Sequence, residues 1–279
     1  MRHRKFVAML SGLLLFAGFS ATLFAQKKPE PEDFDAYKLR IDAFWFYASP
    51  SGYIQSAVTN GINGNTIDLQ KDLGLPDYST FIGKADWKFT RKNHLYFTAI
   101  PLNKTHQTTL TRTFTFQGQT FTAGLTANSD LNTVFLAPGY QYDIIRRKRG
   151  HLGIAVQMDL IDSKASINAA AQIVGGTQHP AVSASGSLLA PIPVAGPEFR
   201  YFITDSPRVF IQGNIMGMYL FGYGNFISTG GTLGVNLAKH FAVVAGYELA
   251  SHLQVNDADT RLGFRLTQKG AIAGLEVSF

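Results

Sequence analysis

The sequence predicts an all-β protein, a transmembrane antiparallel up-and-down β-barrel of about ten strands, with eight or twelve as the alternatives. The first observation is strict alternation in residues 269–279, which places Ala271, Leu275 and Phe279 on one face and Glu276 on the other. The second is the combination of only 16% charged residues with a mean hydropathy of +0.03, because alternating apolar and polar residues cancel in any window. The third is that short and long connections alternate along the chain.

The composition excludes several classes of protein. No internal run is long and apolar enough for a transmembrane helix. There is no cysteine for a disulfide, a thiolate metal site or a lipidated anchor. The formal charge of +6 includes a basic leader, and the other basic residues are scattered or lie in turns, so the sequence predicts no nucleic-acid binding. Composition leaves a soluble all-β protein open.

Three segments are predicted along the chain. Residues 1–25 have the basic start and apolar run of a secretory signal peptide, cleaved after Ala25, with an uncleaved membrane anchor as the alternative. Residues 26–36, rich in Lys, Glu and Pro, form a periplasmic lead-in. Residues 37–279 form the outer-membrane barrel.

Five strands are predicted in the first half of the barrel, and each alternates between two faces. They cover residues 37–47, 81–89, 94–99, 134–145 and 152–160. The fifth has the cleanest pattern, since Leu152, Ile154, Val156 and Met158 alternate with residues that include Asp159. These apolar side chains are predicted to point out of the barrel and Asp159 into it.

Long connections lie between some of the strands. They cover residues 48–79, 103–130, 163–187 and 251–268. The first contains residues 67–75, a compact element that is either a helical turn or a strand extension. The second is Thr-rich, and we expect a hairpin that projects beyond the membrane because its polar face would be costly against lipid.

Five further strands complete the predicted barrel. The sixth ends at Ile203, and the others cover residues 209–221, 226–237, 241–249 and 269–279. Pro191, Pro193 and Pro197 cannot donate to a strand ladder, so they predict a bulge or a register change in the sixth strand.

The tight connections fall on every second strand end, near Lys92, Lys148, Ser206 and Lys239. Short turns on one side and long loops on the other are typical of outer-membrane barrels, with the short turns in the periplasm. A soluble up-and-down barrel would instead place its apolar faces inward. An even number of strands returns both ends of the barrel to the periplasm.

On its signal peptide, strand–loop rhythm and terminal Leu275-x-Val277-x-Phe279, the chain resembles the small bacterial outer-membrane barrels of the OmpA transmembrane-domain and OmpW-like group. The resemblance covers nearly all of the mature chain. It implies a Gram-negative cell-envelope protein in the outer membrane, in contact with lipids that include lipopolysaccharide. The terminal motif resembles the signal that the barrel assembly machinery reads.

The inward faces of the predicted strands carry charges of both signs. The predicted lumen site consists of Arg40, Asp42, Lys84, Asp86, Asp143, Asp159, Glu198, Arg200, Glu248 and Glu276. Buried charges require partners, so the prediction is a salt-bridge network that fills the lumen, with an ion gate or polar path as the alternative.

Histidines and aromatic residues accompany the tight turns. His94, His151 and His240 each open a strand, and we interpret them as interfacial anchors, with a ring of metal ligands as the alternative. An aromatic girdle is predicted at the same level, formed by Trp87, Phe89, Tyr142 and Tyr201.

The sequence therefore predicts a monomeric outer-membrane barrel with a structural, adhesive or narrow-pore, porin-like role. It predicts no cofactor, no metal site and no enzyme, since no nucleophile has a recognisable base beside it. Two alternatives remain open: an outer-membrane lipid-modifying enzyme, and a secreted soluble β-barrel that carries a hydrophobic ligand.

Overall fold

The computed structural model describes residues 33–55, 66–116, 118–220, 224–257 and 262–279, so the predicted signal peptide lies outside the described residues. The strands of this part are β1 (Leu39–Gln55), β2 (Thr66–Asp68), β3 (Tyr78–Lys88), β4 (Asn93–Thr109), β5 (Phe114–Phe116), β6 (Gln119–Phe121), β7 (Thr126–Arg147), β8 (Gly150–Ala169), β9 (Gln172–Val174), β10 (Thr177–His179), β11 (Val182–Phe202), β12 (Val209–Leu220), β13 (Gly224–Ala238), β14 (Phe241–Asp257) and β15 (Leu262–Ser278). None of the described residues forms a helix of the length and apolar character that crossing a membrane requires.

Ten of the described strands close into one antiparallel barrel. Their order is β1, β3, β4, β7, β8, β11, β12, β13, β14 and β15, and β15 pairs with β1 from Arg40↔Ser278 to Gln55↔Gly263. The predicted fold and the count of ten strands are confirmed. We call the end with the tight connections, such as the one between β7 and β8, the turn end, and the opposite end the loop end.

Residues of β8 alternate between an outward apolar face and an inward face that carries Asp159. The side chains of Leu152, Ile154, Val156, Met158 and Leu160 point outward and are between 36% and 48% exposed, whereas Asp159 points inward and is buried. This confirms the prediction for this strand. These nine positions span about 27 Å along the strand, which at a tilt of about 45° is about 19 Å along the membrane normal, most of the roughly 25 Å apolar band of outer-membrane barrels.

The outward face changes from apolar to polar on neighbouring strands, and the levels of the change differ by one outward position. On β8, Asp162 and Lys164 follow Leu160, and on β7, Asn132 precedes the outward Val134. The strands therefore continue beyond the apolar band, whereas the sequence predicted loops there. The stretches 48–79, 103–130 and 163–187 begin and end as strand because their inward positions pack on a common core.

The prolines of β11 do not shift its register, so that prediction is wrong. The pairing of β11 with β8 runs without a break from Val182↔Ala169 to Tyr201↔Gly150. The pairing with β12 instead reaches only to Ala195↔Gly217, and it lacks the two residues before Glu198. The proline nitrogens cost ladder bonds on one side of the strand only.

An apolar core fills the loop end. The hairpin of β5 and β6 contributes Phe114, Phe116 and Phe121, each at most 2% exposed, and the Phe114 and Phe121 rings stack with centroids 5.5 Å apart. These rings pack with inward side chains of the extended strands, such as Ile167. We call this cluster the loop-end core.

Residues 67–75 combine the two conformations that the sequence left open. After β2 the chain forms a turn in which the Asp68 carboxylate accepts hydrogen bonds from the backbone N–H groups of Gln70 and Lys71, at 2.9 and 2.8 Å. The turn buries Leu69 and Leu73 in the loop-end core. The element therefore helps to cover the barrel.

Candidate functional site: a charged network at the turn end

The described residues before β1 fold into the turn end of the barrel, and Asp35 lies at the centre of the contact. Its Oδ2 atom is 3.1 Å from Lys88 Nζ, 3.1 Å from Arg146 Nη1 and 2.8 Å from His151 Nδ1, and its Oδ1 atom is 3.7 Å from Arg200 Nε. Asp35 is 2% exposed. Its negative charge is therefore matched by cations from β3, β7 and β11 rather than by water.

The neighbours of Asp35 hold the same segment in place. The Asp33 carboxylate accepts a hydrogen bond of 2.9 Å from Arg146, and the Phe34 N–H donates to the carbonyl of Lys148 at 3.0 Å. The Phe34 ring packs edge-on against Phe202, with centroids 5.9 Å apart. The last residues of the predicted lead-in, together with Tyr37 and Lys38 from the start of the predicted barrel, thus form a plug before β1, which we call the N-terminal plug (residues 33–38).

Tyr37 connects the plug to a buried histidine. Its hydroxyl donates to Asp86 Oδ2 at 2.9 Å and lies 3.3 Å from His94 Nδ1. His94 is also 3.2 Å from Asp86 Oδ1 through Nδ1 and 3.1 Å from Asp143 Oδ2 through Nε2. Both ring nitrogens are within hydrogen-bond distance of a carboxylate, and His94 is fully buried. His94 therefore cross-links β4 with β3 and β7.

Arg200 spans the lumen to the strand that closes the barrel. Its guanidinium makes a bidentate contact with Glu276, with N–O distances of 2.7 and 2.5 Å. Arg40 lies 3.1 Å from Asp86 and 3.4 Å from Asp42, and all of these groups are buried. Together with the plug contacts, these pairs form the turn-end network.

The ten residues of the predicted lumen site all lie on the inward positions of their strands. Those that the structure brings into the turn-end network are Arg40, Asp42, Asp86, Asp143, Arg200 and Glu276. Lys84 and Glu198 form a separate pair at 3.5 Å.

Two predicted members lie apart from the network. Asp159 accepts a hydrogen bond of 2.6 Å from Gln157, and Glu248 accepts one of 2.8 Å from Ser228. Glu248 lines a polar cavity of about 110 Å³ with Gln212 and other inward residues. Neither carboxylate has a cationic partner within bonding distance among the described residues.

The structure corrects the interpretation of two histidines. His94 and His151 are 0% and 6% exposed, so they are lumen residues rather than interfacial anchors. Their position was readable from the sequence, because His151 has the inward parity of Asp159 on the same strand. His240 is exposed as expected, with Nδ1 2.6 Å from the carbonyl oxygen of Ser278. Sequence reasoning gave no signal for Asp35, since the plug has no periodicity.

The aromatic residues near the tight turns are outward, as predicted. Trp87, Phe89, Tyr142 and Tyr201 are between 43% and 53% exposed. Among the described residues, no group of three or more histidine and carboxylate side chains has the geometry of a metal site. The charged side chains of the turn-end network contact one another as ion pairs, and these pairs join strands across the lumen at that end.

A second ion pair fixes the turn after β2 outside the apolar band. The Arg112 guanidinium donates to Asp72 Oδ1 from Nε at 2.7 Å, and Asp72 is 5% exposed while the Arg112 side chain is 45% exposed. Hydrogen bonding from Arg112 lowers the pKa of Asp72 below its ordinary value of 3.8. The Asp72 carboxylate is thus favoured as an anion in the folded chain.

We expect this turn to loosen in acid. A lowered pKa stabilises the fold above the unfolded value, so the contribution is complete above about pH 5 and is lost as the pH falls through the unfolded and then the folded value. The effect is small because Arg112 is half exposed. Hydrogen-exchange protection of residues 66–75 should fall in acid in the wild type but not in Asp72→Asn. Asp77→Asn is the control that keeps the dependence, and an unchanged acid response in Asp72→Asn would contradict the assignment.

Known protein structures share the fold of this chain at low sequence identity. Neither a protein-family model nor a curated protein sequence matches the chain. Among solved structures, the outer membrane protease OmpT from Escherichia coli is similar over 86% of this chain and 96% of its own, with a TM-score of 0.52 and 10% identity. Ail from Yersinia pestis, in complex with sucrose octasulfate, matches over 86% of this chain and 99% of its own, with a TM-score of 0.34 and 10% identity. The chain therefore has the fold of the small bacterial outer-membrane β-barrel proteins.

Proposed function

We propose that this protein is an integral outer-membrane barrel with a structural or adhesive role. The observation that carries the proposal is the outward apolar band of β8, bounded by Leu152 and Leu160, on a barrel whose lumen is filled by side chains. A bilayer is the surrounding that stabilises such a band. The same band argues against the secreted soluble barrel, which would bury its apolar faces.

The filled lumen favours a structural or adhesive role over a narrow pore. The N-terminal plug and the turn-end network occupy one end, and the loop-end core occupies the other. Opening a path would require the separation of buried ion pairs at the turn end, each of which is costly to break. In this proposal the predicted lumen residues are structural rather than ligands of a transported solute.

The remaining expectations form part of the same proposal. The leader directs export and is cleaved, the barrel assembly machinery reads the terminal strand with Phe279, and the barrel is a monomer in contact with outer-membrane lipids that include lipopolysaccharide. The similarity to a protease, at 10% sequence identity, concerns the fold alone. Among the described residues, the histidines in contact with carboxylates are His94 and His151, and both are buried, at 0% and 6% exposed, away from any substrate at the surface.

The test is to fractionate cells and reconstitute the purified protein. We expect the protein in the outer-membrane fraction, with a gel mobility that changes on heating, and no conductance steps in planar bilayers, because side chains fill the lumen. A soluble protein that needs no detergent would contradict the membrane proposal. Regular conductance steps would instead favour the narrow-pore role.

A charge at the centre of the apolar band should be costly. Val156 lies halfway between Leu152 and Leu160, so Val156→Arg is expected to destabilise the barrel by about 2–4 kcal/mol. Asp162→Arg lies beyond the band on the same strand and should cost no more than about 1 kcal/mol. Urea unfolding in lipid vesicles measures both. Equal effects of the two substitutions would mean that the band is not in contact with lipid.

A further inference from the structure

The polar cavity that Glu248 lines lies in the middle of the lumen, beside the turn-end network. Its volume of about 110 Å³ is enough for several water molecules or for one small hydrated ion. Toward the turn end, Gln212 in its wall accepts a hydrogen bond of 3.2 Å from Arg200. Toward the loop end, the next inward residues of β12 and β13 are Met216 and Phe226, which are buried in an apolar cluster. Packed side chains therefore lie on both sides of the cavity along the lumen.

The wall of this cavity carries one more negative charge than positive charges. Its charged residues are Lys84, Glu198 and Glu248. Lys84 Nζ lies 3.5 Å from Glu198 and matches its charge. Glu248 has no cationic partner within bonding distance in the part of the chain that the structure describes. A carboxylate buried in this way is costly, so it takes up either a proton or a cation from outside the chain.

Hydrogen-bond donors hold the Glu248 carboxylate in place beside a bulge. The pairing of β13 with β14 shifts its register between Thr229 and Gly230. At this point Glu248 Oε1 accepts a hydrogen bond of 2.8 Å from the Ser228 hydroxyl, and the carboxylate accepts another from the backbone N–H of Thr229. Donors of this kind favour the charged form of a carboxylate. They therefore favour the uptake of a cation over the uptake of a proton.

The second carboxylate oxygen has space because the neighbouring residue is a glycine. A Cβ atom at Gly230 would lie 2.6 Å from Glu248 Oε2 and would displace the carboxylate. The neutral polar side chains of the wall belong to Gln212, Asn214 and Thr232. Carboxylate, amide and hydroxyl oxygens are the ligands that hard cations prefer. The cavity thus combines a fixed negative charge, neutral oxygens and room for an ion.

We propose that this cavity binds one monovalent alkali cation, sodium or potassium, through Glu248 and the neutral oxygens of its wall. The single unmatched negative charge is balanced by a single positive charge. The wall offers two carboxylates and no histidine or cysteine, and that set suits an alkali ion rather than a transition metal. The bound ion joins β12, β13 and β14 on the lumen side. This site goes beyond the proposed structural or adhesive function, which does not require it.

The first test compares urea unfolding of the wild type in three salts. Vesicles hold the protein at about pH 8 in about 0.1 M sodium chloride, potassium chloride or N-methylglucamine chloride, so that ionic strength and screening are equal. The N-methylglucamine cation is too large for the cavity. The unfolding equilibrium constant should be about tenfold larger in its salt than in the better of the two alkali salts, as a site with a Kd of about 10 mM predicts. Equal constants in all three salts would overturn the inference.

Variants assign the salt dependence to the cavity. Glu248→Gln removes the charge and should abolish the tenfold difference, whereas Gly230→Ala keeps the charge but displaces the carboxylate and should reduce the difference. Asp159→Asn is the matched control, because it removes another lumen carboxylate that has no cationic partner among the described residues and does not line this cavity. The tenfold difference should remain in that control. A difference that survives Glu248→Gln would contradict the site.

Crystals of the wild type grown in a thallium(I) salt give a second measurement that does not depend on the folding of a variant. Thallium(I) is a heavy monovalent cation that replaces alkali ions at oxygen sites. We expect anomalous difference density in the cavity, in contact with Glu248 Oε2. An empty cavity in these crystals would overturn the inference and would leave the proposed membrane function as it stands.

Discussion

Asp35→Asn is expected to destabilise the barrel by about 3–5 kcal/mol, the cost of leaving buried charges without their partner. Lys88, Arg146 and His151 all lie within 3.1 Å of the Asp35 carboxylate, and Arg200 Nε lies 3.7 Å from it. An amide keeps the shape of the side chain but removes the negative charge. The remaining cations would then repel one another in a lumen that excludes water.

Urea unfolding in lipid vesicles, followed by the fluorescence of Trp45 and Trp87, measures this loss. Asp33→Asn is the matched control, since it accepts one hydrogen bond from Arg146 and is 15% exposed, and it should cost about 1 kcal/mol. The variant at position 35 should also expose residues 33–38 to protease. Equal stabilities of Asp35→Asn and the wild type would show that the plug contributes nothing to the fold.

Arg200→Met is expected to cost a similar amount, about 3–5 kcal/mol, because it leaves the Glu276 carboxylate without its bidentate partner. The double variant Arg200→Met/Glu276→Leu should cost less than the sum of its two single variants, by roughly 1–3 kcal/mol. The double variant remains weaker than the wild type because Arg200 also faces Asp35.

The same unfolding measurement tests this coupling. Lys84→Met/Glu198→Leu is the comparison pair, since its single N–O contact is longer, at 3.5 Å, and the Lys84 side chain is 16% exposed. Its coupling should be the smaller of the two. Strictly additive effects at Arg200 and Glu276 would contradict the bidentate pair.

The part of the barrel that the sequence predicts is the part in which apolar and polar residues alternate. The inward and outward sides of β8 follow from residues 152–160, because a strand exposes successive side chains to opposite surroundings. The same reasoning stops at Leu160. Beyond it the outward side chains are polar and the inward side is covered by distant hairpins, so the pattern resembles a loop until the loop-end core is known.

The candidate site divides in the same way. Arg200 and Glu276 could be placed in the lumen by parity, but their pairing could not, since it depends on which strands face each other across the barrel. Asp35 could not be placed at all, because a plug follows no repeat. The interpretation as interfacial anchors is wrong for His94 and His151 because the inward parity of a strand residue, rather than its closeness to a turn, determines the side on which it lies.

The seam between β1 and β15 has a consequence for how the barrel folds. Arg40 pairs with Ser278 across roughly 240 intervening residues, so closure carries a large loop entropy and is expected to be slow. Until it happens, two strand edges are open to wrong partners, and Glu276 on β15 has yet to meet Arg200. The bidentate contact of Arg200 with Glu276 thus forms only with the final pairing. A barrel that has not closed gains nothing from this contact, which favours complete closure over partly paired seams.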